Sequence, residues 1–381
     1  MTDVPVLSFF TGAGFLDLGF KKEGFKTVWF NEYFKPFVSS FDYAWERMGF
    51  SSRISNSASI TELGPRQILK EAFGTAGRPE HFGVIGGPPC PDFSVGGKNK
   101  GGSGRNGILS QVYVSRICEL GPSFFVFENV PGLVRTAKHR QFLGGLIKRL
   151  TDSYVIDLRV ICSLDYGVPQ DRSRMIMVGV SKKFAHKRRL DIQQKPVNEI
   201  LLNAFDNSTN NPSWFDWRLK RKYHDAKAMF DWPTESKFGS VPIRPSEIPT
   251  ELMVGPLICD PKELAGLENQ NDHFHPYSKR FKEVPEGSVA FKSFKRLHRW
   301  RFSPAAAYGN NEVHLHPTQA RRLSVREALR IQTVPDNYVL PADMPLSHKF
   351  KTVGNGVPVK LAQAVAATMS KLLAGGGNGK F

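Results

Sequence analysis

Short apolar runs alternate with amphipathic stretches over the first 180 residues of the chain. Residues 4–10, 27–30, 82–85, 123–127, 155–160 and 175–180 are apolar runs of strand length, and a further strand is expected to end at residues 59–61. Residues 66–73, 108–120 and 143–150 carry apolar side chains at helical spacing. Because strands that alternate with helices pair in parallel, this pattern predicts an α/β fold with a mainly parallel, twisted sheet.

The alternation stops after residue 180 and returns near residue 311. The intervening segment is polar, with basic runs at 182–189 and 292–301. We therefore predict a main domain at 1–180, a smaller irregular domain for substrate recognition at 181–310, and a return to the main domain at 311–381. In the last part, Ser324 with Glu327 predicts a capped helix over 324–332, Gly354-Asn355-Gly356 predicts a turn, and residues 359–373 form the final helix.

The net charge and the cysteine content favour a protein that binds nucleic acid and disfavour a disulfide-rich or metal-binding protein. The chain carries 52 Lys and Arg against 35 Asp and Glu, a formal net charge of +17 that favours a polyanionic partner such as nucleic acid. The four cysteines are far apart in the sequence, so neither a disulfide framework nor a metal site is predicted. With no signal sequence and no run of membrane-spanning length, we expect a cytoplasmic protein without membrane association.

A glycine turn follows the first apolar run, at Thr11-Gly12-Ala13-Gly14. The dinucleotide fingerprint requires a glycine where this chain has Asp17, which disfavours a pyrophosphate cradle. The second run leads to Glu32 and Tyr33, an acid placed for ribose hydroxyls and a ring placed for adenine. Together these features indicate an adenosine-containing ligand without a diphosphate, although a turn without any ligand remains open.

A thiol follows the run at 82–85, within Gly86-Gly87-Pro88-Pro89-Cys90-Pro91. The prolines restrict the backbone, as a nucleophilic cysteine requires, while an inert core cysteine is the alternative. Glu128 ends the run at 123–127, so an acid and the thiol are expected at one edge of the sheet.

Two arginines and a basic loop complete the candidate chemistry. Arg172 and Arg174 alternate on an extended segment and are expected to share one face, where they could clamp a phosphate or a carbonyl oxygen. Residues 96–107 are rich in glycine and basic side chains, which favours a loop beside the thiol that grips a phosphate backbone, with a plain flexible surface loop as the alternative.

Six motifs, in order, carry a family resemblance over nearly the whole chain outside residues 181–310. They are Phe10-Thr11-Gly12-Ala13-Gly14, Pro89-Cys90, Glu128-Asn129-Val130, Gln170-Asp171-Arg172-Ser173-Arg174, Arg322-Leu323 with Glu327, and Gly354-Asn355. The set resembles the DNA (cytosine-5)-methyltransferases of the bacterial modification type. The resemblance implies an S-adenosylmethionine-dependent, Rossmann-like methyltransferase fold whose last helix packs beside the first strand, with catalytic and cofactor-binding residues in 1–180 and a target-recognition domain at 181–310.

The resemblance also implies a role for each site residue. Cys90 resembles the family's nucleophile, Glu128 its acid and Arg174 the arginine that holds the cytosine carbonyl, with Arg172 beside it in the same motif. The positions that match the cofactor site are Phe10, Gly12, Gly14, Glu32, Tyr33, Ile60, Pro89, Leu109 and Asn355.

The expected activity is transfer of a methyl group from S-adenosylmethionine to carbon 5 of a flipped-out cytosine in duplex DNA, with S-adenosylhomocysteine as product. We expect a monomer at the nucleoid, with double-stranded DNA and a cognate restriction endonuclease as candidate partners. One alternative is a transfer RNA methyltransferase of the same superfamily. Another is a DNA-binding relative that has lost catalysis, because Phe15, Ser59 and Pro91 depart from the family pattern.

Overall fold

The structure is a computed structural model that describes residues 3–50, 54–89, 105–206, 213–306, 308 and 312–375, without the side chains of 105 and 106. Its strands are β1 Val4–Phe9, β2 Phe25–Asn31, β3 Ile54–Asn56, β4 Gly83–Gly86, β5 Phe124–Asn129, β6 Tyr154–Cys162, β7 Gln170–Asp171, β8 Ser173–Ser181 and β9 Ser303–Pro304. Its helices are α1 Phe15–Lys21, α2 Lys35–Arg47, α3 Pro65–Phe73, α4 Arg105–Leu120, α5 Gly132–Arg135, α6 Ala137–Leu150, α7 Lys182–Lys187, α8 Val197–Leu202, α9 Ala226–Met229, α10 Gly255–Ile258, α11 Pro261–Leu264, α12 Arg280–Glu283, α13 Val325–Ile331, α14 Leu346–Asn355 and α15 Val359–Leu373.

Seven strands form one twisted sheet in the order β3-β2-β1-β4-β5-β8-β6. All neighbouring pairs up to β5 are parallel, and β8 runs antiparallel between β5 and β6. The predicted α/β fold with a mainly parallel sheet is confirmed. Because β8 is reversed, its first residues lie at the edge where the parallel strands end, so Arg174 starts β8 beside the end of β5.

Helices cover both faces of the sheet. The buried apolar side chains of α4 and α6 pack on one face, and those of α1 and α15 pack on the other. Val4 and Val6 of β1 share a cluster with Leu361 of α15. A Cβ atom added to Gly19 of α1 would lie 2.4 Å from the Cβ atom of Ala362, so this glycine permits the close approach of α1 and α15.

Two predicted boundaries near the cavity are wrong, and the helix predicted over 143–150 begins earlier, at Ala137. The third strand ends at Asn56 rather than at residues 59–61, because the side chains of Asn31 and Asn56 bond the backbone beyond it in place of a strand partner. Gly354 and Asn355 end helix α14 rather than form a turn. Burial of Phe350 and Val353 on one face of α14 outweighs the low helix propensity of glycine. The capped helix near Ser324 is confirmed, with a reciprocal capping box between Ser324 and Glu327.

Side chains rather than strand pairing hold the segment 182–306 in shape. Its described helices have six residues or fewer, and β9 pairs only with β7. The buried guanidinium of Arg296 donates to the carbonyls of Val284, Gln319 and two further residues, 2.8 and 3.0 Å away for the two named. Glu286, fully buried, forms a salt bridge of 2.7 Å with Arg299.

Candidate active site

A cavity of about 890 Å³ opens at the edge of the sheet where the parallel strands end. Eight of the sequence-predicted cofactor residues line it, as do two of the predicted catalytic residues: Phe10, Gly12, Glu32, Tyr33, Ile60, Pro89, Leu109, Asn355, Glu128 and Arg174. Gly14 and Arg172 are not among the residues that line the cavity. Cys90, Pro91 and the basic loop up to residue 104 lie outside the described residues, although Pro89, directly before Cys90, lines the cavity.

The glycine turn is fixed by Glu32. The Glu32 carboxylate accepts hydrogen bonds from the backbone N–H of Gly12 at 3.0 Å and from that of Phe34 at 2.8 Å. Burial raises the pKa of Glu32, and these hydrogen bonds and Lys351 oppose the rise. Gly14 has φ 77°, and a Cβ atom there would lie 2.3 Å from the Phe41 ring. Gly14 is therefore needed for the turn and its packing rather than as a cavity surface.

Glu128 and Arg174 form the polar end of the cavity. The Nε atom of Arg174 lies 2.9 Å from a carboxylate oxygen of Glu128, and both side chains are largely buried. Desolvation raises the pKa of Glu128, and the charges of Arg174 and Arg172 oppose the rise. A Cβ atom on Gly87 would lie 2.5 Å from the same carboxylate, so glycine is needed here. The pair presents a carboxyl group that holds a proton more readily than usual and a fixed cation.

The side chain of Arg172 forms hydrogen bonds with backbone carbonyls near the cavity. Its guanidinium is buried and donates to the carbonyls of Ala306 at 2.6 Å, Gly354 at 2.7 Å and Gly356 at 2.9 Å. These bonds fix both neighbours of Asn355, which lines the cavity. Arg172 directly precedes β8, which carries Arg174, so its hydrogen bonds tie this strand to the part of the cavity wall formed by residues 354–356.

Asn129 fixes the approach to the thiol. Its amide donates to the carbonyl of Pro88 at 3.2 Å, and its side-chain oxygen accepts from the N–H of Val130 at 2.8 Å. The segment that leads into Cys90 is therefore tied to the end of β5, where Glu128 lies.

The lining residues that sequence reasoning missed include Phe34, Phe37 and Lys351. The Lys351 ammonium lies 4.7 Å from the centre of the Phe34 ring. Lys351 and Asn355 are four residues apart on α14 and share a face of it. A helix prediction there, in place of the turn, would have identified Lys351.

Phe15 and Ser59, two departures from the family pattern, lie in the described part of the chain. Phe15 packs edge-on against Tyr338 with ring centres 5.4 Å apart, and a Cβ atom on Gly356 would lie 2.1 Å from the Phe15 ring. The larger side chain at position 15 is thus accommodated by a glycine at 356. The Ser59 hydroxyl lines the cavity and lies 2.8 Å from that of Thr61.

Comparisons with known proteins cover nearly the whole chain. The family model of the C-5 cytosine-specific DNA methylases matches residues 4–371. Type II methyltransferase M.NmeDI of Neisseria meningitidis serogroup C is 42% identical in an alignment 377 residues long that covers 97% of this chain and 84% of the relative. Type II methyltransferase M.XorII of Xanthomonas oryzae pv. oryzae is 30% identical in an alignment 392 residues long that covers 98% of this chain and 86% of the relative.

Solved structures show the same fold. A structure described as a DNA modification methyltransferase encoded within an E. coli prophage has a TM-score of 0.65 at 22% identity and covers 97% of this chain and 99% of its own. The Dnmt2 methyltransferase of S. pombe has a TM-score of 0.58 at 9% identity and covers 99% of this chain and 100% of its own. Within the part of the chain that the structure describes, no helix has the length and apolar character needed to cross a bilayer.

Proposed function

The chain belongs to the C-5 cytosine-specific DNA methylase family, and from that premise we propose that it methylates carbon 5 of a cytosine flipped out of a specific duplex DNA sequence, through a covalent adduct with Cys90. The enzyme class, DNA (cytosine-5)-methyltransferase, follows from the family and its named relatives. The observation that carries the finer proposal is the single cavity shared by the cofactor residues and the pair Glu128 and Arg174.

The residues of the cavity fit S-adenosylmethionine. Its volume of about 890 Å³ is near the upper end of the usual range of roughly 300–1,000 Å³, which favours a nucleoside cofactor and a base side by side. Each oxygen of Glu32 accepts one backbone N–H and keeps a lone pair for a ribose hydroxyl. Tyr33, which is 66% exposed, offers a ring face to adenine. S-adenosylmethionine supplies an electrophilic methyl group and leaves as S-adenosylhomocysteine.

Cys90, Glu128 and Arg174 divide the work on the cytosine. The Cys90 thiolate adds to carbon 6, forming an S–C bond and moving the ring electron pair toward carbon 5, which then attacks the methyl group. Glu128 delivers a proton to ring nitrogen 3 as charge builds there. Arg174 holds the exocyclic oxygen. Return of the proton on nitrogen 3 to Glu128, loss of the proton from carbon 5 to a base and breakage of the S–C bond then release neutral 5-methylcytosine and regenerate the thiolate.

Three further residues act through the backbone. Asn129 holds Pro88 and so sets the start of the thiol loop. Arg172 fixes the carbonyls on either side of Asn355. Gly14 permits the turn before α1. We propose these as positioning roles in the same site.

Duplex DNA is the proposed substrate. Turning a base out of the stack costs a few kcal/mol, which phosphate contacts by a chain of net charge +17 offset. We propose the basic residues of 96–107 as the clamp and residues 181–310 as the target-recognition domain. The named type II relatives support a place in a restriction-modification system. We further propose a cognate endonuclease as functional partner and a monomeric enzyme at the nucleoid.

A labelled-methyl assay tests the proposal. Wild-type enzyme with tritiated S-adenosylmethionine should label duplex plasmid DNA and not transfer RNA. Cys90→Ser should abolish labelling while DNA binding persists, and Cys118→Ser on helix α4 is the matched control that should retain it. Labelling by Cys90→Ser would refute the adduct. Labelling of transfer RNA alone would favour the RNA enzyme, and absence of calorimetric heat with S-adenosylmethionine would favour a silent DNA-binding protein.

A further inference from the structure

The loop at residues 236–244 alternates between side chains that face the protein and side chains that face solvent. Val241 is 86% exposed and Ile243 is 92% exposed, the highest values for large apolar residues in the described chain. Pro242 between them is partly buried. Branched aliphatic side chains at two successive outward positions are unusual on a surface without a partner.

The inward positions of the 236–244 loop are anchored one by one. Ser236 exchanges two backbone hydrogen bonds with Glu286, at 2.9 and 2.8 Å. The Arg296 guanidinium lies 4.1 Å from the centre of the Phe238 ring.

Two more anchors follow along the loop. The carbonyl of Ser240 accepts from Arg299 at 2.9 Å, and the carbonyl of Pro242 accepts from the indole of Trp300 at 2.9 Å. Val241 and Ile243 are therefore held out in a fixed arrangement, which lowers the ordering cost of binding.

The anchors of the loop connect it to the active site. Arg299 and Trp300 lie four and three residues before β9, and β9 pairs with β7 through Gln170 and Ser303. Strand β7 ends one residue before Arg172. A short continuous stretch thus joins the 236–244 loop to the strand of the catalytic arginine.

The charge around Val241 and Ile243 identifies the kind of partner. Lys237 and Arg244 are exposed on the same loop, and residues 236–244 contain no acidic side chain. A second copy of this chain would bring another charge of +17 to the contact, which disfavours self-association. A polyanion with apolar groups at its surface fits both features, and duplex DNA is such a partner because thymine presents a methyl group in the major groove.

We propose that Val241 and Ile243 enter a groove of the target duplex and contact base edges, which makes them specificity-determining residues, while Lys237 and Arg244 contact phosphates. This inference rests on the proposed function, because it assigns the partner of the recognition domain. Aliphatic side chains contact methyl groups and make no hydrogen bond to phosphate, so they contribute to selective binding and little to general binding.

The test compares Val241→Ser/Ile243→Ser with wild-type enzyme on two duplexes. One carries the sequence that bisulfite sequencing shows the wild type to methylate in plasmid DNA, and the other is a mixed sequence without it. We expect the double variant to bind the target duplex at least about ten-fold more weakly and the mixed duplex nearly unchanged. Lys237→Ala should weaken both and reduce the slope of log affinity against log salt by about one.

Leu202→Ser is the matched control, because Leu202 is a 77% exposed aliphatic residue on helix α8, outside the loop. It should bind both duplexes as wild type does. Calorimetry with S-adenosylmethionine checks that each variant is folded, and p-benzoylphenylalanine in place of Ile243 should cross-link to the target duplex under light.

Three outcomes would overturn the inference: unchanged discrimination between the duplexes in the double variant, equal loss on both duplexes with cofactor binding intact, or a change from dimer to monomer in sedimentation. Failure of the wild type to methylate any DNA would instead refute the proposed function.

Discussion

The edge of the seven-stranded sheet and the segment 182–306 are stabilised by different kinds of hydrogen bond. At the sheet edge, backbone ladders fix the strand ends, and polar side chains such as Glu128 and Arg174 remain available to a cavity. In the segment 182–306, ladders are nearly absent, and buried side chains such as Arg296 hydrogen-bond the backbone instead. A side chain that hydrogen-bonds irregular backbone is not available to a ligand, which explains why the candidate catalytic residues are concentrated at the sheet edge.

The largest expected effect is on the stability of the irregular segment. Arg296→Ala leaves buried carbonyls of Phe281, Val284 and Gln319 without a donor, which should cost about 3–5 kcal/mol of unfolding free energy, because each unsatisfied buried acceptor costs about 1–3 kcal/mol. Urea titration followed by fluorescence measures it. Arg218→Ala removes an exposed arginine of the same segment and should change the unfolding free energy by less than about 0.5 kcal/mol. Equal urea midpoints for Arg296→Ala and Arg218→Ala would contradict the proposed role of the buried arginine in holding the segment 182–306.

At the sheet edge, a comparable substitution should affect rate and leave stability nearly unchanged. Glu128→Gln keeps the shape of the side chain but removes its acid, so turnover at saturating DNA should fall about 100-fold. Single-turnover methyl transfer is the measurement. Glu62→Gln is the control, because Glu62 also lines the cavity but lies outside the Glu128–Arg174 pair. Full activity in Glu128→Gln would refute the proposal that Glu128 is the proton donor.

The contact between Phe15 and Gly356 tests how tightly the cavity wall is packed. Gly356 has φ −64°, which any residue adopts, so the effect of Gly356→Ala should come from the methyl group placed 2.1 Å from the Phe15 ring. Overpacking should cost about 1–3 kcal/mol, and Phe15→Leu should restore part of it. Melting temperatures of the two single variants and the double variant give the coupling. Gly64→Ala, where a Cβ atom meets nothing within 4 Å, is the control.

Acid should destabilise the protein partly through His316. Its Nδ1 atom accepts the backbone N–H of Thr318 and that of Gln319, each at 3.1 Å, and burial lowers its pKa from 6.5 to about 4. Because the unfolded chain binds this proton near pH 6.5 and the folded chain only near pH 4, unfolding free energy should fall as the pH drops through that window. The contribution is about 1.4 kcal/mol per pH unit.

His316→Asn isolates this contribution. The variant should be less stable at pH 7 but should lose stability less steeply between pH 6.5 and pH 4 than the wild type, as measured by urea titration at each pH. Parallel curves for the two proteins would show that His316 does not titrate in this range.

The smallest expected effect is a gain at the sheet edge. Ser59→Asp places a carboxylate acceptor at a residue that lines the cavity, and one added hydrogen bond of about 1 kcal/mol should tighten S-adenosylmethionine binding about five-fold. Calorimetry measures the affinity. Ser55→Asp adds the same charge on β3, at a residue that does not line the cavity, and should leave the affinity unchanged.

The sheet and much of the cavity were predictable because their signals are local. Apolar runs identify buried strands, and Glu128 was predicted at the site because it ends one of them. The positioning role of Arg172 was not predictable, because its acceptors lie 134 to 184 residues further along the chain. Glycines 354 and 356 predicted a turn, but the burial of Phe350 and Val353, which depends on the whole fold, extends the helix. The shape of segment 182–306 depends on arginine–carbonyl pairs that leave no periodic pattern.

The return of residues 351–357 to the cavity has a consequence for biosynthesis. Lys351, Asn355 and Val357 complete a cavity that residues 10–13 also line. A nascent chain therefore emerges from the ribosome with its glycine turn long before the residues that enclose the ligand. The cofactor site can close only after translation has passed helix α14, so we expect an unfinished polypeptide to be unable to modify the chromosome.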